Sequence, residues 1–154
     1  MIKALCIKLE PYKDDWSMII GVGRGGIIPA IYVSHYLNKP MGVIMASRYA
    51  EGETEGGRIK LSTPALFPIT AYPHERTRVL VIDEMVDEGV TLHAVKDYFK
   101  NVFDKVDFAV VLYKPRSTFM PNYYVKMIDN NDWIVFPTDR NIQLWKREEK
   151  GVQK

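Results

Sequence analysis

The chain has 154 residues, 47% of them hydrophobic and 26% charged, which is the composition of one ordinary globular domain over residues 1–154. Lysine and arginine (21) nearly balance aspartate and glutamate (19), so the formal charge of +2 gives no sign of a nucleic-acid or membrane surface. Cys6 is the only cysteine, which excludes an intrachain disulfide, and no apolar run approaches the roughly 18 residues of a membrane span. We therefore expect a cytoplasmic protein without a membrane or nucleic-acid partner.

Short apolar segments alternate with helical patterns along the chain. Continuous apolar runs predict buried strands at 18–22, 41–47, 79–83, 108–113 and 123–129. Between them, 27–37, with Pro29 near its start, and 91–103, with its apolar residues on one face, predict helices. This alternation predicts an α/β fold, a mostly parallel twisted sheet with helices on both faces. Ligands of such sheets bind beyond the carboxyl ends of the strands.

A long polar connection separates the second and third predicted strands. The segment from Tyr49 to Tyr72 contains "EGETEGG" and two prolines, and it is longer than most connections in a compact domain. We expect it to be a lid or to be disordered. The charged residues at 146–154 are expected to fray.

The third predicted strand leads into a cluster of acidic residues. "VLVIDEMVDEGVTL" (79–92) contains four carboxylates within six residues, Asp83, Glu84, Asp87 and Glu88. We expect the strand to end at Asp83 and the next helix to begin near Thr91. The segment from Asp87 to Thr91 is then a turn from strand to helix.

Such a turn is suited to binding a phosphate. Backbone N–H groups at a helix N-terminus attract anions, Gly89 allows a close approach of the backbone, and the Thr91 hydroxyl adds a donor. Asp83 and Glu84 at its rim would bind sugar hydroxyls, amines or a magnesium ion. The simpler alternative is that Asp87 or its neighbour only caps the helix.

A second glycine-rich segment, "GVGRGG" (21–26), also follows a predicted strand and precedes a helix. Its glycines satisfy the spacing G-x-G-x-x-G, so an NAD-binding module is a possible alternative. An acidic residue should then end the next strand, but that strand ends in Ser47 and Arg48. A lone match to this spacing is therefore a weak indication.

Five segments together resemble the type I phosphoribosyltransferases. "VLVIDEMVDEGVTL" resembles their ribose-phosphate signature, and "GVGRGG" resembles their pyrophosphate loop. "ASRYAEG" resembles the Ser-x-Tyr of their mobile loop, "VVLYKP" a strand ending in Lys-Pro, and "DWIVFPTD" a Trp-Ile segment that binds the base. All five occur in the family's order. Within the family, the chain is most similar to the xanthine-guanine and other 6-oxopurine enzymes.

The resemblance implies an enzyme of purine salvage. It would transfer ribose 5-phosphate from phosphoribosyl pyrophosphate (PRPP) to hypoxanthine, guanine or xanthine and release pyrophosphate, with Mg²⁺ as cofactor. It also implies a mobile loop at about 49–72, a small hood that includes about 130–140, and a homo-oligomer, either a dimer or a tetramer. An alternative from another class is a PRPP-sensing regulator with the same fold and little catalysis.

The resemblance assigns PRPP contacts to two segments. The 5′-phosphate would bind at the turn formed by Asp87, Glu88, Gly89, Val90 and Thr91. The ribose hydroxyls would contact Asp83 and Glu84, directly or through Mg²⁺. The pyrophosphate would bind at Arg24, Gly25 and Gly26. Glu88 departs from the family pattern, which usually has threonine at this position.

The purine contacts come from three further segments. Asp87 would exchange a proton with N7, Lys114 would donate to O6, and Trp133 would stack on the ring with Ile134 beside it. Ser47 and Tyr49 would belong to the loop that closes over the reaction. Simpler alternatives are that the Trp-Ile pair belongs to the core, that the lysine is a solvated edge residue, and that Arg24 forms a surface ion pair.

Overall fold

The structure, a computed structural model, describes residues 1–47, 59–67, 78–129, 134 and 136. In chain order its elements are α1 (Ile2–Leu9), a 3-10 helix (Glu10–Asp15), β1 (Met18–Val22), α2 (Gly23–Leu37), β2 (Met41–Ile44), β3 (Ala46–Ser47), β4 (Lys60–Leu61), β5 (Ala65–Phe67), β6 (Arg78–Val86), α3 (Val90–Phe99), β7 (Lys105–Tyr113) and β8 (Tyr123–Met127). None of the helices in these ranges is both long and apolar enough to cross a membrane.

Six of these strands form one sheet in the order β5-β2-β1-β6-β7-β8, and β3 and β4 form a separate two-stranded ribbon. Strands β2, β1, β6, β7 and β8 run parallel, whereas β5 is antiparallel to β2 at the edge. The predicted, mostly parallel sheet is therefore confirmed. The middle strands β1, β6 and β7 have nearly continuous apolar sequences because protein covers them on both sides.

Helices cover both faces of the sheet, as predicted. Successive residues of a strand point to opposite faces, and β6 shows this alternation clearly. Val79 and Val81 pack in one core with Phe99 of α3, whereas Leu80 and Ile82 pack in a second core with α1 and α2. The sheet therefore separates two hydrophobic cores.

The N-terminal helix α1 was not among the predicted elements. Leu5, Cys6 and Leu9 are buried against the second core. They are spaced at i, i+1 and i+4, a helical pattern that could have indicated the helix. The 3-10 helix then leads to Trp16, whose indole N–H donates to Asp107 Oδ2 at 2.8 Å.

Two predicted boundaries near the glycine-rich segments were wrong. Strand β6 does not end at Asp83 but continues to Val86, which is paired with Tyr113 of β7. The ladder continues because backbone hydrogen bonding does not depend on the apolar character of the side chains. Helix α2 begins at Gly23, so most of "GVGRGG" is the first turn of a helix and not a loop.

Other predicted boundaries also shift. The run 41–47 is broken at Met45 into β2 and β3, which belong to different sheets. Helix α3 ends at Phe99, before Val102, which is 53% exposed. The chain turns there because the Val102 amide donates to the Phe99 carbonyl at 2.9 Å, and this contact spans only three residues.

The predicted lid contains regular structure in its described part. Residues 59–67 include β4 and β5, so the alternative of disorder was wrong for these residues, and the lid stays a prediction. An apolar triplet, Ala65 to Phe67, supplies the edge strand. The rest of the predicted lid (49–58 and 68–72), the charged tail and nearly all of the predicted hood lie outside the described residues.

Candidate active site

The first turn of α2 packs directly on the end of β6. A Cβ atom on Gly26 would lie 2.9 Å from the Asp83 Cα and would overlap the Ile82 carbonyl oxygen. A Cβ atom on Gly25 would overlap the Glu84 carboxylate. Gly26 therefore requires glycine because its neighbours are backbone atoms, whereas at Gly25 the neighbour is the end of the Glu84 side chain. This close packing brings the "RGG" segment against the first two carboxylates of the acidic cluster.

Asp83 is a half-buried carboxyl with little compensation for its charge. Its Oδ1 accepts a hydrogen bond from the Glu84 amide at 2.8 Å. Burial raises the pKa of Asp83 to about 8; the hydrogen bond from the amide lowers it, and the Glu84 charge raises it further. Within the described residues, no basic side chain pairs with Asp83. A cationic or hydroxyl-rich ligand would supply the missing compensation.

The turn between β6 and α3 has the form expected of an anion site. Gly89 is the N-cap residue with φ 91°, and no side chain caps the helix, so the capping alternative was wrong. A Cβ atom on Gly89 would also lie 2.7 Å from Ser117 Oγ and 2.6 Å from Phe119 Cβ. The position needs glycine for both its backbone angle and its space. The first amides of α3 remain available to an anion.

The loop that follows β7, residues 114–119, supports this turn. The Lys114 amide donates to the Val86 carbonyl at 3.0 Å. The Thr118 amide (3.2 Å) and hydroxyl (3.0 Å) both donate to the Glu88 carbonyl. His93 of α3 adds a contact of 3.2 Å between its Nε2 and Thr118 Oγ1. These hydrogen bonds from the loop stabilise the backbone of the turn.

Asp87 and Lys114, predicted from separate segments, lie beside each other. Lys114 Nζ is 3.6 Å from Asp87 Oδ2, and the lysine side chain is 2% exposed. The interpretation as a solvated edge lysine was wrong because β7 lies between β6 and β8 and not at the edge. A residue that the sequence did not indicate, Arg116, donates through Nε to Asp87 Oδ1 at 2.7 Å and also pairs with it through Nη2.

Comparison with known proteins identifies the family to which the chain belongs. The family described as "Phosphoribosyl transferase domain" matches residues 3–143. The chain belongs to this family, and it is a phosphoribosyltransferase. The family has the predicted fold, and membership replaces the alternative of an NAD-binding module.

Individual relatives agree with this assignment. The structure of a purine phosphoribosyltransferase from Pyrococcus horikoshii Ot3 is 34% identical, covers 90% of this chain and 85% of that chain, and has a TM-score of 0.70. A xanthine-guanine phosphoribosyltransferase of Desulfotalea psychrophila is 30% identical over 92% of this chain and 81% of its own length. The Helicobacter pylori xanthine-guanine-hypoxanthine enzyme, 21% identical over 95% of this chain and 93% of that chain, shares the fold with a TM-score of 0.73.

The other predicted site residues of the phosphoribosyltransferase are placed as follows. Arg24 is exposed on the first turn of α2. Ser47 ends β3, and Tyr49 and Trp133 lie outside the described residues. Ile134 is half-buried and packs against the core beneath α1 and α2. Among the described residues, the structure therefore brings together the phosphate, pyrophosphate and Asp87–Lys114 elements.

Asp83 and Glu84 can contribute ligands to a metal site but are too few to complete one. Within the described ranges, no group of three or more His, Cys, Asp or Glu side chains could hold a metal ion. Mg²⁺ commonly takes one or two carboxylates and fills its remaining positions with water and substrate phosphate oxygens. Asp83 and Glu84 fit that partial role.

An apolar cavity of about 540 Å³ lies between α1 and α2, next to the end of β6. Gly25, Glu84, Tyr32 and Phe136 are among the residues in its walls. Neither Asp87 nor Lys114 lines it. The cavity is therefore separate from the Asp87–Lys114 pair.

Proposed function

We propose that the enzyme transfers the phosphoribosyl group of PRPP to a 6-oxopurine and releases pyrophosphate, a reaction of purine salvage. The observation that carries this proposal is the Asp87–Lys114 pair, with Oδ2 and Nζ 3.6 Å apart at the rim of an uncapped helix N-terminus. A carboxylate and an ammonium group match the N7 and O6 atoms on one edge of a 6-oxopurine. Relatives named purine and xanthine-guanine phosphoribosyltransferases support the choice of base.

PRPP would span the two glycine-rich segments. Its 5′-phosphate would accept hydrogen bonds from the amides of the turn formed by Asp87, Glu88, Gly89, Val90 and Thr91. Its pyrophosphate would lie at the first turn of α2, near Arg24, Gly25 and Gly26. These two helix N-termini both attract anions, and they lie on either side of the end of β6.

Mg²⁺ would be held by Asp83 and Glu84 together with the ribose and pyrophosphate oxygens. The metal would supply positive charge that stabilises the departing pyrophosphate. The carboxylates would also orient the ribose hydroxyls. Asp83 fits this role because its charge is not compensated by a basic side chain in the described part of the protein.

The chemical step would form the bond between N9 of the purine and C1′ of the ribose and break the bond from C1′ to pyrophosphate. Asp87 would accept the proton that N7 loses, while Lys114 donates a hydrogen bond to O6. Trp133 and Ile134 would hold the ring, and the loop with Ser47 and Tyr49 would exclude water. Hypoxanthine, guanine and xanthine all carry O6, so this contact accepts all three.

The test is a nucleotide-forming assay with PRPP, Mg²⁺ and one purine at a time. We expect product with at least one of hypoxanthine, guanine and xanthine, and none with adenine, which lacks O6. Excess chelator should remove activity, and added Mg²⁺ should restore it. PRPP binding without product from any base would contradict the proposal and favour the PRPP-sensing regulator. Full activity in chelator would contradict the metal's role alone.

We also propose a cytoplasmic homo-oligomer, either a dimer or a tetramer. The exposed face of α2 supports association, because Ile28, Ile31, Tyr32 and Tyr36 are 36–60% exposed there. Most soluble oligomers are symmetric assemblies of one chain. Light scattering after size exclusion should give a mass of two or four chains, and a monomer across micromolar concentrations would contradict this proposal.

A further inference from the structure

The two oxygens of the Asp87 carboxylate are used unequally. Nε of Arg116 donates to Oδ1 at 2.7 Å, and Nη2 pairs with the same oxygen. Oδ2 faces Lys114 Nζ at 3.6 Å. The guanidinium group therefore occupies one oxygen with two N–H groups and leaves the other oxygen directed at the lysine.

Both residues of this ion pair lie on hydrogen-bonded backbone segments. Asp87 follows β6 directly, and Arg116 lies in the loop that hydrogen-bonds back to the same turn through Lys114 and Thr118. The Ser117 amide also donates to the Lys114 carbonyl at 3.0 Å, which closes the loop on itself. The backbone positions of Asp87 and Arg116 are thus fixed relative to each other by hydrogen bonds between the turn and the loop.

The exposure of the pair indicates that it is not built mainly for stability. The side chains of Arg116 and Asp87 are 44% and 30% exposed. Ion pairs in contact with solvent contribute little to stability because water screens them and both side chains lose freedom. A fork of two N–H groups does, however, restrict rotation of the carboxylate.

We propose that Arg116 is a positioning residue for Asp87, an inference that rests on the proposed function above. By holding Oδ1, it keeps Oδ2 directed at the N7–H group of the incoming base. The purine edge then enters between Oδ2 and Lys114 Nζ and replaces their direct contact, with N7 against the carboxylate and O6 against the ammonium group. Arg116 itself does not touch the purine.

A double-mutant cycle tests this role. The variants are Arg116→Ala, Asp87→Asn and the double variant, with Arg116→Lys as the conservative change. Lys100→Ala is the matched control, because Lys100 is also an exposed cation paired with an aspartate, Asp97, at 3.1 Å on α3. The measured quantities are kcat for nucleotide formation and KM for PRPP, together with thermal unfolding of each protein.

We expect Arg116→Ala to lower kcat by about 10- to 100-fold, because a misplaced reacting group costs rates of this order. KM for PRPP should stay within about threefold, because the proposal assigns Arg116 a contact with Asp87 and none with PRPP. Arg116→Lys should recover part of the loss, added guanidine should partly rescue Arg116→Ala, and Lys100→Ala should match the wild type. The double variant should be no slower than Asp87→Asn alone, since Arg116 acts through Asp87.

The assignment would be overturned if the kcat losses of the two single variants multiply in the double variant, or if kcat is unchanged in Arg116→Ala. In either case nucleotide formation by the wild type would still support the proposed function. A wild-type enzyme that forms no nucleotide would overturn the proposed function and this inference with it. Should Arg116→Ala fail to fold, Arg116→Lys and its double variant with Asp87→Asn decide the question, and an unchanged kcat in Arg116→Lys would count against the proposal.

Discussion

The two ends of the central strands use carboxylates in opposite ways. At the amino end, Asp107 is buried and accepts hydrogen bonds from Trp16 Nε1 at 2.8 Å and from Arg78 Nε at 2.6 Å. At the carboxyl end, Asp83 accepts a bond from the amide of its own neighbour, Glu84, and burial raises its pKa to about 8. The charge of Asp107 is compensated by Arg78 and Trp16, whereas no basic side chain pairs with Asp83 in the described part of the chain.

This difference separates a structural contact from a candidate binding site. The Asp107 contact joins the segment before β1 to β6 and β7, so its charge is compensated once the chain is folded. Asp83 and Glu84 lie where the first turn of α2 packs closely on β6. A ligand bound there can supply the compensating charge that no basic side chain in the described residues gives to Asp83. Substitutions at the two ends should therefore have different consequences.

The largest expected effect is on catalysis at the carboxyl end. Asp87→Asn should lower the rate of nucleotide formation by about 100- to 10,000-fold, because it removes the proton acceptor and keeps the shape of the side chain. PRPP should still bind, and the melting temperature should change little. Isotope-labelled PRPP provides both the rate and the binding measurement. Turnover at the wild-type rate would remove Asp87 from the mechanism.

The amino end should show the reverse behaviour. Asp107→Ala leaves the buried Trp16 N–H without its acceptor and removes a partner of Arg78, so we expect the free energy of unfolding to fall by about 3 kcal/mol. That corresponds to a melting temperature roughly 6–12 °C lower for a domain of this size. Denaturant titration measures the loss, and kcat per folded molecule should not change.

An exposed pair on α3 provides the control for this stability prediction. Asp97 contacts Lys100 at 3.1 Å with both side chains largely in solvent. Asp97→Ala should change stability by no more than about 0.5 kcal/mol. Equal losses in Asp97→Ala and Asp107→Ala would mean that burial of the carboxylate does not distinguish the two sites.

The same contrast explains what could be predicted from the sequence. The middle strands are buried on both faces, so their apolar runs are local signals, and Gly89 and Thr91 mark the turn locally as well. The contact between Trp16 and Asp107 joins residues 91 positions apart, and that between Arg116 and Asp87 joins residues 29 positions apart. Nothing near these residues in the sequence indicates such a partner.

Boundaries were harder to predict for a related reason. Hydrophobic patterns report where side chains are buried, whereas strands and helices end where backbone hydrogen bonding ends. Strand β6 continues past Asp83 because its ladder with β7 continues. Helix α2 begins at Gly23 although glycine is a poor helix former, and its close packing on the β6 backbone requires a glycine at Gly26.

A smaller effect is expected from Lys114, which is proposed to contact the purine base. Lys114→Met keeps most of the side-chain volume and removes the donor to O6, so KM for the 6-oxopurine should rise roughly 10- to 100-fold. PRPP affinity should not change. Lys126→Ala, which removes an exposed lysine of β8, is the control. A parallel loss of PRPP affinity would place Lys114 on the phosphate side.

The smallest effect expected at the carboxyl end concerns Glu88, a position where the resemblance to the family predicts threonine. Its side chain is exposed, and its carbonyl oxygen accepts hydrogen bonds from the Thr118 amide and hydroxyl. The peptide at this position is therefore held by the loop after β7, whatever its side chain. The uncapped amides of α3, with Gly89 at the N-cap, can bind a phosphate without a hydroxyl group at Glu88.

We therefore expect Glu88→Thr to change PRPP affinity by less than about tenfold, which corresponds to roughly 1.4 kcal/mol. A carboxylate a few ångströms from a phosphate costs about 1 kcal/mol in water, and a side chain in solvent remains near that limit. Titration of both proteins with PRPP at fixed Mg²⁺ measures the difference, and Glu88→Gln separates the effect of charge from that of size. If only Glu88→Thr binds PRPP tightly, the carboxylate at this position excludes the phosphate. The natural ligand of the turn would then be something other than PRPP.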